Sequence, residues 1–301
     1  MDNLFDLNSF NLVNFLFINL IVCIVILGSL VTFLEKYIPV FITQTFRYGK
    51  HAHKGRLDKF VSLLEVPKSW FAHFYLFSAV WSILGFYLTI RVCLYGYQCP
   101  AFVLKFLDIC CTSFRYEKTS NSTTFIAMFL ILLQCIRRFY ETHFVQVFSS
   151  KIKINLSHYF VGYIHYFGTV VLTLSQSEGF VRSPTHRSAT FSFGTLIWTC
   201  LFLYAWYHQF KSNLILANLR KNKQGNVVTE EHKLPVGGYF EKISSPHMFF
   251  EILMYVALYG ILCENTSWIW IFIWVLTNQV SNAWLTHQCN IHKNLKEHMW
   301  Q

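Results

Sequence analysis

Two amides and a guanidinium group fall on one face of an apolar segment in the second half of this chain. Gln209, Asn213, Leu216 and Arg220 are separated by four, three and four residues, so they form a single stripe if the segment is one unbroken helix. Amides beside an arginine suit a polar, anionic ligand, because they supply hydrogen bonds and positive charge together. The alternative is a helix end whose cations extend toward water along their aliphatic stems.

A second group of polar residues follows at 234–251. Ser245 suits the N-cap of a helix and Pro246 suits the first helical position, so this pair predicts a helix start. Free backbone N–H groups at such a start, with Lys233 and Lys242 nearby, would attract a phosphate group.

His247 and Glu251 lie four residues apart on the helix predicted to begin there, so their side chains share a face. Glu251 opens an otherwise apolar stretch, where an ionisable group is costly unless it is paired or neutral. The spacing therefore indicates either a ligand contact or a structural pairing with a neighbouring helix.

Upstream, Glu65, His73 and Tyr75 lie where a basic connection enters an apolar segment. His73 is surrounded by aromatic residues and is a candidate proton donor or polar contact, whereas a tyrosine at this boundary is commonly an interfacial anchor. His73 and Tyr75 are two residues apart, so one helix cannot direct both side chains at the same point.

The elements that must position these residues are membrane helices. Of the 301 residues, 54% are hydrophobic and only 13% are charged, against about a quarter charged in soluble domains. The apolar residues form blocks of roughly twenty, the length that crosses a bilayer as a helix. We predict an all-α, polytopic membrane helical bundle of about seven transmembrane helices in one integral-membrane domain, residues 1–301. The predicted spans are residues 12–34, 69–94, 123–147, 157–175, 189–210, 247–263 and 267–287.

The basic residues predict the orientation of this bundle. Lys and Arg concentrate in three connections, within residues 36–68, 137–153 and 211–242, whereas residues 1–10 contain neither. Because Lys and Arg are retained on the cytosolic side during insertion, we expect a lumenal N-terminus and cytosolic basic connections.

Neither the net charge of +10 nor the nine cysteines point to nucleic acid or metal. The basic residues are divided among short loops beside the membrane, with no nucleic-acid-binding module around them. The cysteines show neither a C-x-x-C motif nor a Cys/His zinc spacing. We therefore expect the membrane bilayer as a partner, no nucleic acid and no metal.

Several separate strings resemble the steroid 5-alpha-reductase family. They are Arg137-Arg-Phe-Tyr-Glu-Thr-His-Phe, Asn218-Leu-Arg-Lys-Asn-Lys, Pro235-Val-Gly-Gly-Tyr-Phe-Glu-Lys-Ile-Ser-Ser-Pro and Trp284-Leu-Thr-His-Gln. A further string, Val66-Pro-Lys-x-x-Phe-x-His-Phe-Tyr, is similar to the polyprenal reductase branch of that family. The resemblance extends from about residue 60 to residue 290.

This resemblance implies a seven-helix enzyme of the endoplasmic reticulum membrane that takes NADPH from the cytosolic side. The implied reaction reduces the alpha-isoprene double bond of polyprenal (polyprenol in older naming), toward dolichol for protein N-glycosylation. Residues 60–150 would supply the substrate-side helices, and residues 189–290 the NADPH-binding helices with a cytosolic loop.

The resemblance also assigns individual residues. Glu65 is similar to the carboxyl group that contacts the substrate carbonyl in the steroid branch, and His73 belongs to the polyprenal-like string, so both are candidate catalytic residues. The implied cofactor-binding residues are Arg138, Gln209, Asn213, Leu219, Arg220, His247 and Glu251.

Three positions depart from the family pattern. His247 stands where an Asn is usual, Asn213 where the steroid branch has an Asp, and Cys135 where the steroid branch has a Tyr. The hydrogen bond of that Tyr to the substrate oxygen must therefore come from another residue or be absent.

Other functions remain open from the residues alone. An isoprenylcysteine carboxyl methyltransferase-like enzyme has a related helical architecture but uses S-adenosylmethionine. A membrane transporter also carries intramembrane polar residues, although the repeated halves typical of transporters are not visible here. A non-catalytic scaffold is the third alternative.

Overall fold

The computed structural model describes residues 10–47, 55, 58–149, 152–182, 192–222, 224–229 and 233–298. Some residues of the predictions above lie outside this part of the chain. They are the basic residues Lys50, Lys54, Arg56, Lys151 and Lys223, the first nine residues, and residues 189–191 of the fifth predicted span.

The described residues form ten α-helices and two short strands. In chain order these are α1 (Leu12–Phe33), α2 (Val40–Phe46), α3 (Lys59–Leu63), β1 (Glu65–Pro67), α4 (Phe71–Thr89), α5 (Ala101–Cys111), α6 (Asn121–Tyr140), β2 (Lys153–Asn155), α7 (Leu156–Ser175), α8 (Phe193–Asn218), α9 (Pro246–Ile261) and α10 (Trp268–His298). α4 and α6 each continue into a wider π turn, at Ile90–Leu94 and Glu141–Val145.

Most of the chain is helical, and three helical segments are long and apolar enough to cross a membrane. They are Leu12–Phe33, Lys68–Leu94 and Asn121–Val145. α9 is apolar but shorter, with 16 residues. The predicted class, a helical membrane protein, is confirmed, and the number of seven spans stays a prediction.

Polar caps explain where several of these helices begin. The side chains of Asn11, Ser120, Asn155 and Ser192 each accept a hydrogen bond from a backbone N–H in the first turn of α1, α6, α7 and α8. Such caps satisfy N–H groups that have no partner within the helix. Local sequence therefore sets the starts of four long helices.

A short antiparallel ribbon was missed by the all-α prediction. β1 pairs with β2, with Glu65 opposite Asn155 and Val66 opposite Ile154. Ile154 is 1% exposed, so the ribbon is anchored in the core. The ribbon ties the chain just before α4 to the start of α7, and it places Glu65 on a paired strand.

Small residues allow the helices to approach closely. A β-carbon at Gly85 of α4 would lie 2.6 Å from Cγ1 of Val170 in α7 and 2.9 Å from Cε of Met128 in α6. α8 and α9 pack along one another, and Gly260 of α9 lies against the ring of Trp198. This packing brings α6, α8 and α9 together around a polar core.

Candidate functional site

Glu251 lies at the centre of a polar network that joins three helices. Its Oε2 accepts hydrogen bonds from Nε2 of Gln209 in α8 and, at 3.3 Å, from Nε2 of Gln134 in α6. Gln209 also donates to the carbonyl oxygen of His247 at 3.1 Å. Two predicted cofactor residues, Gln209 and Glu251, are therefore in direct contact.

Arg137 completes this network from α6. Its guanidinium group donates to Oε1 of Gln209, to Oε1 of Gln134 at 2.6 Å and to the carbonyl oxygen of Trp206. Arg137 is 5% exposed and its Cζ lies 4.8 Å from the centre of the Trp206 ring. Arg137 was not among the predicted site residues, because the resemblance pointed to the neighbouring Arg138.

Glu141 balances the two arginines. It begins the π turn after α6 and is fully buried. Its Oε2 accepts from Arg138 and, at 2.9 Å, from Nδ2 of Asn213, while Nε of Arg137 lies 3.4 Å from Oε1. Arg138 also donates to the hydroxyl of Tyr75 at 2.8 Å. Buried charges persist only when they are paired in this way.

Near the start of α9, Ser245 and Pro246 occupy the predicted positions. The helix begins at Pro246 and Ser245 is its N-cap residue, so the predicted start is confirmed. The hydroxyl of Ser245 makes no capping bond and is buried without a hydrogen-bond partner. The predicted phosphate contact at this helix start stays a prediction.

Several cationic side chains lie close to the C-terminal end of α8. α8 is unbroken from Phe193 to Asn218, so the predicted stripe of Gln209 and Asn213 leads toward Arg220, just beyond the helix. Arg220 donates to the carbonyl oxygen of Val147, and Lys221 donates to that of Val145 at 2.9 Å.

Lys68 and Leu219 complete this end of the site. The charge of Lys68 is close enough to Arg220 for the two to repel one another, and Leu219 is half-buried beside Arg220. We call Lys68, Arg220 and Lys221 the cation cluster. Like charges held together in this way favour an anionic ligand.

Glu65 and His73 contact residues outside the polar network. Oε1 of Glu65 accepts from Nε2 of Gln44 at 3.1 Å, and Nδ1 of His73 lies 3.4 Å from the hydroxyl of Tyr159. His73 is exposed, next to the ring of Trp70, whose centre lies 5.6 Å away. The two candidate catalytic residues therefore contact different partners, Gln44 in α2 and Tyr159 in α7.

A small cavity lies among α6, α7, α8 and α9. Its volume is about 10 Å³, and its lining includes Gln134, Cys135, Tyr166, Thr169 and Tyr255. That volume is about enough for one water molecule. A larger group would enter only if these side chains moved apart.

The structure thus brings Gln209, Asn213, His247 and Glu251 into one connected region, with Arg138 joined to it through Glu141. Gln134 and Glu141 were missed, although a sequence signal existed. Gln134, Arg137 and Glu141 are spaced three and four residues apart within an apolar segment, which places their polar groups on one helix face.

Most of the chain is similar in sequence to known proteins. A family profile described as 3-oxo-5-alpha-steroid 4-dehydrogenase matches residues 180–299. A polyprenal reductase of Drosophila melanogaster is 47% identical over 296 residues, which cover 96% of this chain and 90% of that protein. A polyprenal reductase of Xenopus tropicalis is 32% identical over 250 residues, covering 80% of each chain. One of Caenorhabditis elegans is 30% identical over 253 residues, covering 80% of this chain and 78% of that protein.

Because these relatives are named polyprenal reductases, the methyltransferase-like and transporter alternatives are not favoured. Similarity of this extent covers the ribbon, the polar network and the cation cluster together. The chain therefore belongs to the steroid 5-alpha-reductase family, and it is an oxidoreductase of the class that acts on CH–CH groups.

Proposed function

We propose that this protein uses NADPH to reduce the alpha-isoprene double bond of polyprenal, a step toward dolichol for protein N-glycosylation. The observation that carries the proposal is the 47% identity to a polyprenal reductase over 96% of the chain. That match includes the Glu65 string and the residues of the polar network in one alignment, which supports assigning both regions to one site.

The donors of the polar network fit the polar groups of a dinucleotide. Amides and guanidinium groups bind carboxamide, hydroxyl and phosphate groups through paired hydrogen bonds. Nε1 of Trp206 and Oγ of Ser245 are buried without hydrogen-bond partners, and buried polar atoms normally have one. In this proposal a ligand supplies it. The cofactor-binding residues would be Arg138, Gln209, Asn213, Leu219, Arg220, His247 and Glu251.

The cation cluster is the proposed binding region for the phosphates of the dinucleotide. Arg220 and Lys68 repel one another, so an anion between them would remove an unfavourable interaction. Lys221 lies next to Arg220, fixed by its bond to Val145. The dinucleotide would then extend from the end of α8 toward Glu251.

The chemistry favours the aldehyde over the alcohol. NADPH, when bound, supplies a hydride. The β carbon of an enal accepts a hydride because the charge spreads onto the aldehyde oxygen, whereas the alkene of an allylic alcohol offers no such electron sink. A hydrogen-bond donor at that oxygen stabilises the developing charge. Glu65 and His73 are the proposed catalytic residues on the substrate side, where the lipid head enters the site.

The surroundings of His73 suit the lipid. Trp70 and Tyr159 lie beside it, and Phe160, which packs against Tyr159, is 54% exposed. A long isoprenoid tail needs an apolar surface open to the bilayer, with a few polar groups only at the reacting end. We propose that α1, α4, α6, α7, α8, α9 and α10 span the endoplasmic reticulum membrane, with the N-terminus lumenal and the cofactor side cytosolic.

The test incubates membranes containing the full chain with polyprenal or polyprenol and with NADPH, NADH or no cofactor. Mass spectrometry then measures the gain of two hydrogens in the alpha-isoprene unit. We expect NADPH-dependent reduction of polyprenal. Glu251→Ala should abolish most of it, whereas Glu264→Ala, in the exposed turn after α9, should not. Conversion of neither lipid would overturn the proposal.

A further inference from the structure

A buried imidazole and hydroxyl pair lies in the bundle among groups that the mechanism above does not use. Nε2 of His165 in α7 and the hydroxyl of Tyr255 in α9 are 2.8 Å apart. Tyr255 is 3% exposed, and Nδ1 of His165 is buried without a hydrogen-bond partner. Polar groups inside an apolar helical bundle are costly to maintain, which makes a function a reasonable inference.

This pair borders the small cavity. Tyr255, Tyr166, Thr169 and Gln134 supply its polar side chains, and the volume is about 10 Å³. A single water molecule fits a space of that size, and so does one carbonyl oxygen. Most of the remaining lining is apolar, including Ile131, Phe202 and Met254, so the cavity has room for one small atom beside the Tyr255 hydroxyl.

The cavity also adjoins the polar network. Glu251 and Tyr255 are four residues apart in α9, so they lie on one face about 6 Å apart along the helix. Gln134 lines the cavity and donates to Oε2 of Glu251 at 3.3 Å. An atom in the cavity would lie one helical turn from the residues that the proposed function assigns to the cofactor.

We propose that Tyr255 is a catalytic residue whose hydroxyl donates a hydrogen bond to the aldehyde oxygen of the substrate, and that His165 is the positioning residue that holds this hydroxyl. The inference rests on the proposed polyprenal reduction and names the donor inside the site. It places the reacting carbonyl in the cavity, deeper than Glu65 and His73.

The electron balance of the step shows where such a donor acts. A hydride from a reduced nicotinamide forms the new C–H bond at the β carbon, and the C=C pair shifts to join the α carbon to the carbonyl carbon. The carbonyl pair moves onto oxygen, where the O–H of Tyr255 stabilises the negative charge. The oxygen pair then re-forms the C=O bond while the α carbon takes a proton from water, which leaves hydroxide, the saturated aldehyde and the oxidised nicotinamide.

The surrounding contacts keep the pair in place. The proposal requires the tautomer of His165 that carries its proton on Nε2. In that tautomer Nε2 donates to the oxygen of Tyr255, and the tyrosine O–H is left to donate to the aldehyde oxygen. The ring of Tyr255 stacks with that of Trp268, with 6.3 Å between the ring centres. The ring of His165 packs edge-on against that of Tyr166, with 4.8 Å between the ring centres. Side chains held by rigid helices in this way are preorganised for catalysis.

The test compares Tyr255→Phe with Tyr259→Phe in the purified full chain. Tyr259 lies one turn further along α9 and stacks on Phe272, so Tyr259→Phe is a matched control. We expect Tyr255→Phe to lower kcat by about 100-fold with little change in KM, as for loss of one oxyanion donor. Tyr259→Phe should keep the wild-type kcat.

A second readout does not depend on turnover. Isotope-edited infrared spectra of bound polyprenal, without NADPH, should show a carbonyl stretch shifted to lower frequency by the wild type and Tyr259→Phe, and unshifted by Tyr255→Phe. His165→Leu should weaken the shift and lower kcat, and His165→Gln should restore part of both because its amide can donate to Tyr255.

The outcomes distinguish the role of Tyr255 from the proposed reduction of polyprenal. If the wild type reduces polyprenal and Tyr255→Phe keeps its kcat and carbonyl shift, the role of Tyr255 is overturned and the proposed function stands. If the wild type does not reduce polyprenal, both are overturned.

Discussion

Among single residues, Gln209 contacts charged groups of both signs. Its Oε1 accepts from Arg137 and its Nε2 donates to Glu251, so one amide separates an arginine from a carboxylate inside the core. A side chain of similar size without polar atoms would leave both charges without this partner. When one partner of a buried hydrogen bond is removed, the polar group left behind stays buried without a partner, and this lowers the free energy of unfolding.

We therefore expect Gln209→Leu to lower the free energy of unfolding by about 1–3 kcal/mol and to weaken NADPH binding. Thermal unfolding in detergent and NADPH titration measure the two effects. Thr199→Val is the control on the same helix, because the Thr199 hydroxyl donates to the carbonyl oxygen of Thr195 within α8, at 2.8 Å. Unchanged stability and binding in Gln209→Leu would show that the network is not important for either.

Two arginines share one carboxylate at the end of α5, and their surroundings differ. Asp108 accepts from Arg115 at 2.6 Å and from Nε of Arg182 at 2.8 Å. The Arg115 side chain is 3% exposed and also donates to the carbonyls of Ser175 and Phe180, whereas the Arg182 side chain is 57% exposed. Exposed ion pairs contribute little, but loss of a buried partner is costly.

Arg115→Met should therefore destabilise the protein by about 3–5 kcal/mol, and Arg182→Met by less than about 1 kcal/mol. The same substitution at both positions makes each the control for the other. Thermal or denaturant unfolding of the two variants measures the difference. Equal losses would contradict the expectation that burial and backbone contacts decide the strength of this cluster.

Asp108 also predicts a pH dependence. Burial raises the pKa of Asp108, but hydrogen bonds and charge from Arg115 and Arg182 outweigh it and leave this pKa below its ordinary value. The stabilisation is therefore complete above the unfolded-state pKa of about 3.9 and is lost as the pH falls through the folded-state pKa. Asp108→Asn should be less stable than wild type at pH 7, and unfolding curves should show this difference shrinking below about pH 4. A difference that stayed constant into acid would contradict this assignment.

Among whole elements, the contact of α4, α6 and α7 depends on the absence of a side chain. A β-carbon at Gly85 would lie 2.6 Å from Cγ1 of Val170, closer than carbon atoms pack. Gly85→Leu should push the helices apart and destabilise the protein by about 1–3 kcal/mol or more. Gly194→Leu, where a β-carbon meets only Oγ of Ser192 at 3.4 Å, is the matched control and should change the melting temperature little.

For the whole molecule, the seven proposed spans would place the termini on opposite sides of the membrane. A glycosylation site fused to the N-terminus should therefore be modified in the lumen, and one fused to the C-terminus should not, because the basic connections favour the cytosol. Gel mobility before and after deglycosylation measures both fusions. Modification at both ends or at neither would require an even number of spans.

The helical content and the approximate bounds of five long helices could be predicted from sequence. The shorter helices α2, α3 and α5 were not predicted, and α8 and α10 extend beyond the predicted spans, to Asn218 and His298. Apolar blocks and local caps gave segments close to α1, α4, α6, α7 and α9, because a helix satisfies its backbone within one segment. β1 and β2 could not be predicted in this way. Strands of three residues have no readable alternation, and their pairing joins positions about ninety residues apart, such as Glu65 and Asn155.

The types of residue in the candidate site could be predicted from sequence, but only some of the individual residues could. Arg137 and Arg138 are adjacent, and on a helix their side chains point about 100° apart. Only the positions of α4, α8 and α9 show that Arg137 faces Gln209 while Arg138 faces Tyr75. His165 and Tyr255 had no sequence signal at all, because ninety residues separate them.

The sequence alone determined that this is a helical membrane protein, where its long helices begin, and to which family its motifs are similar. Those features depend on local composition, spacing and capping, which act within one segment. The tertiary structure decided which polar side chains share the core, since a buried amide or charge is stable only beside its partner. Those partners come from helices distant in sequence, so the network around Glu251, the cation cluster and the cavity beside Tyr255 exist only after packing.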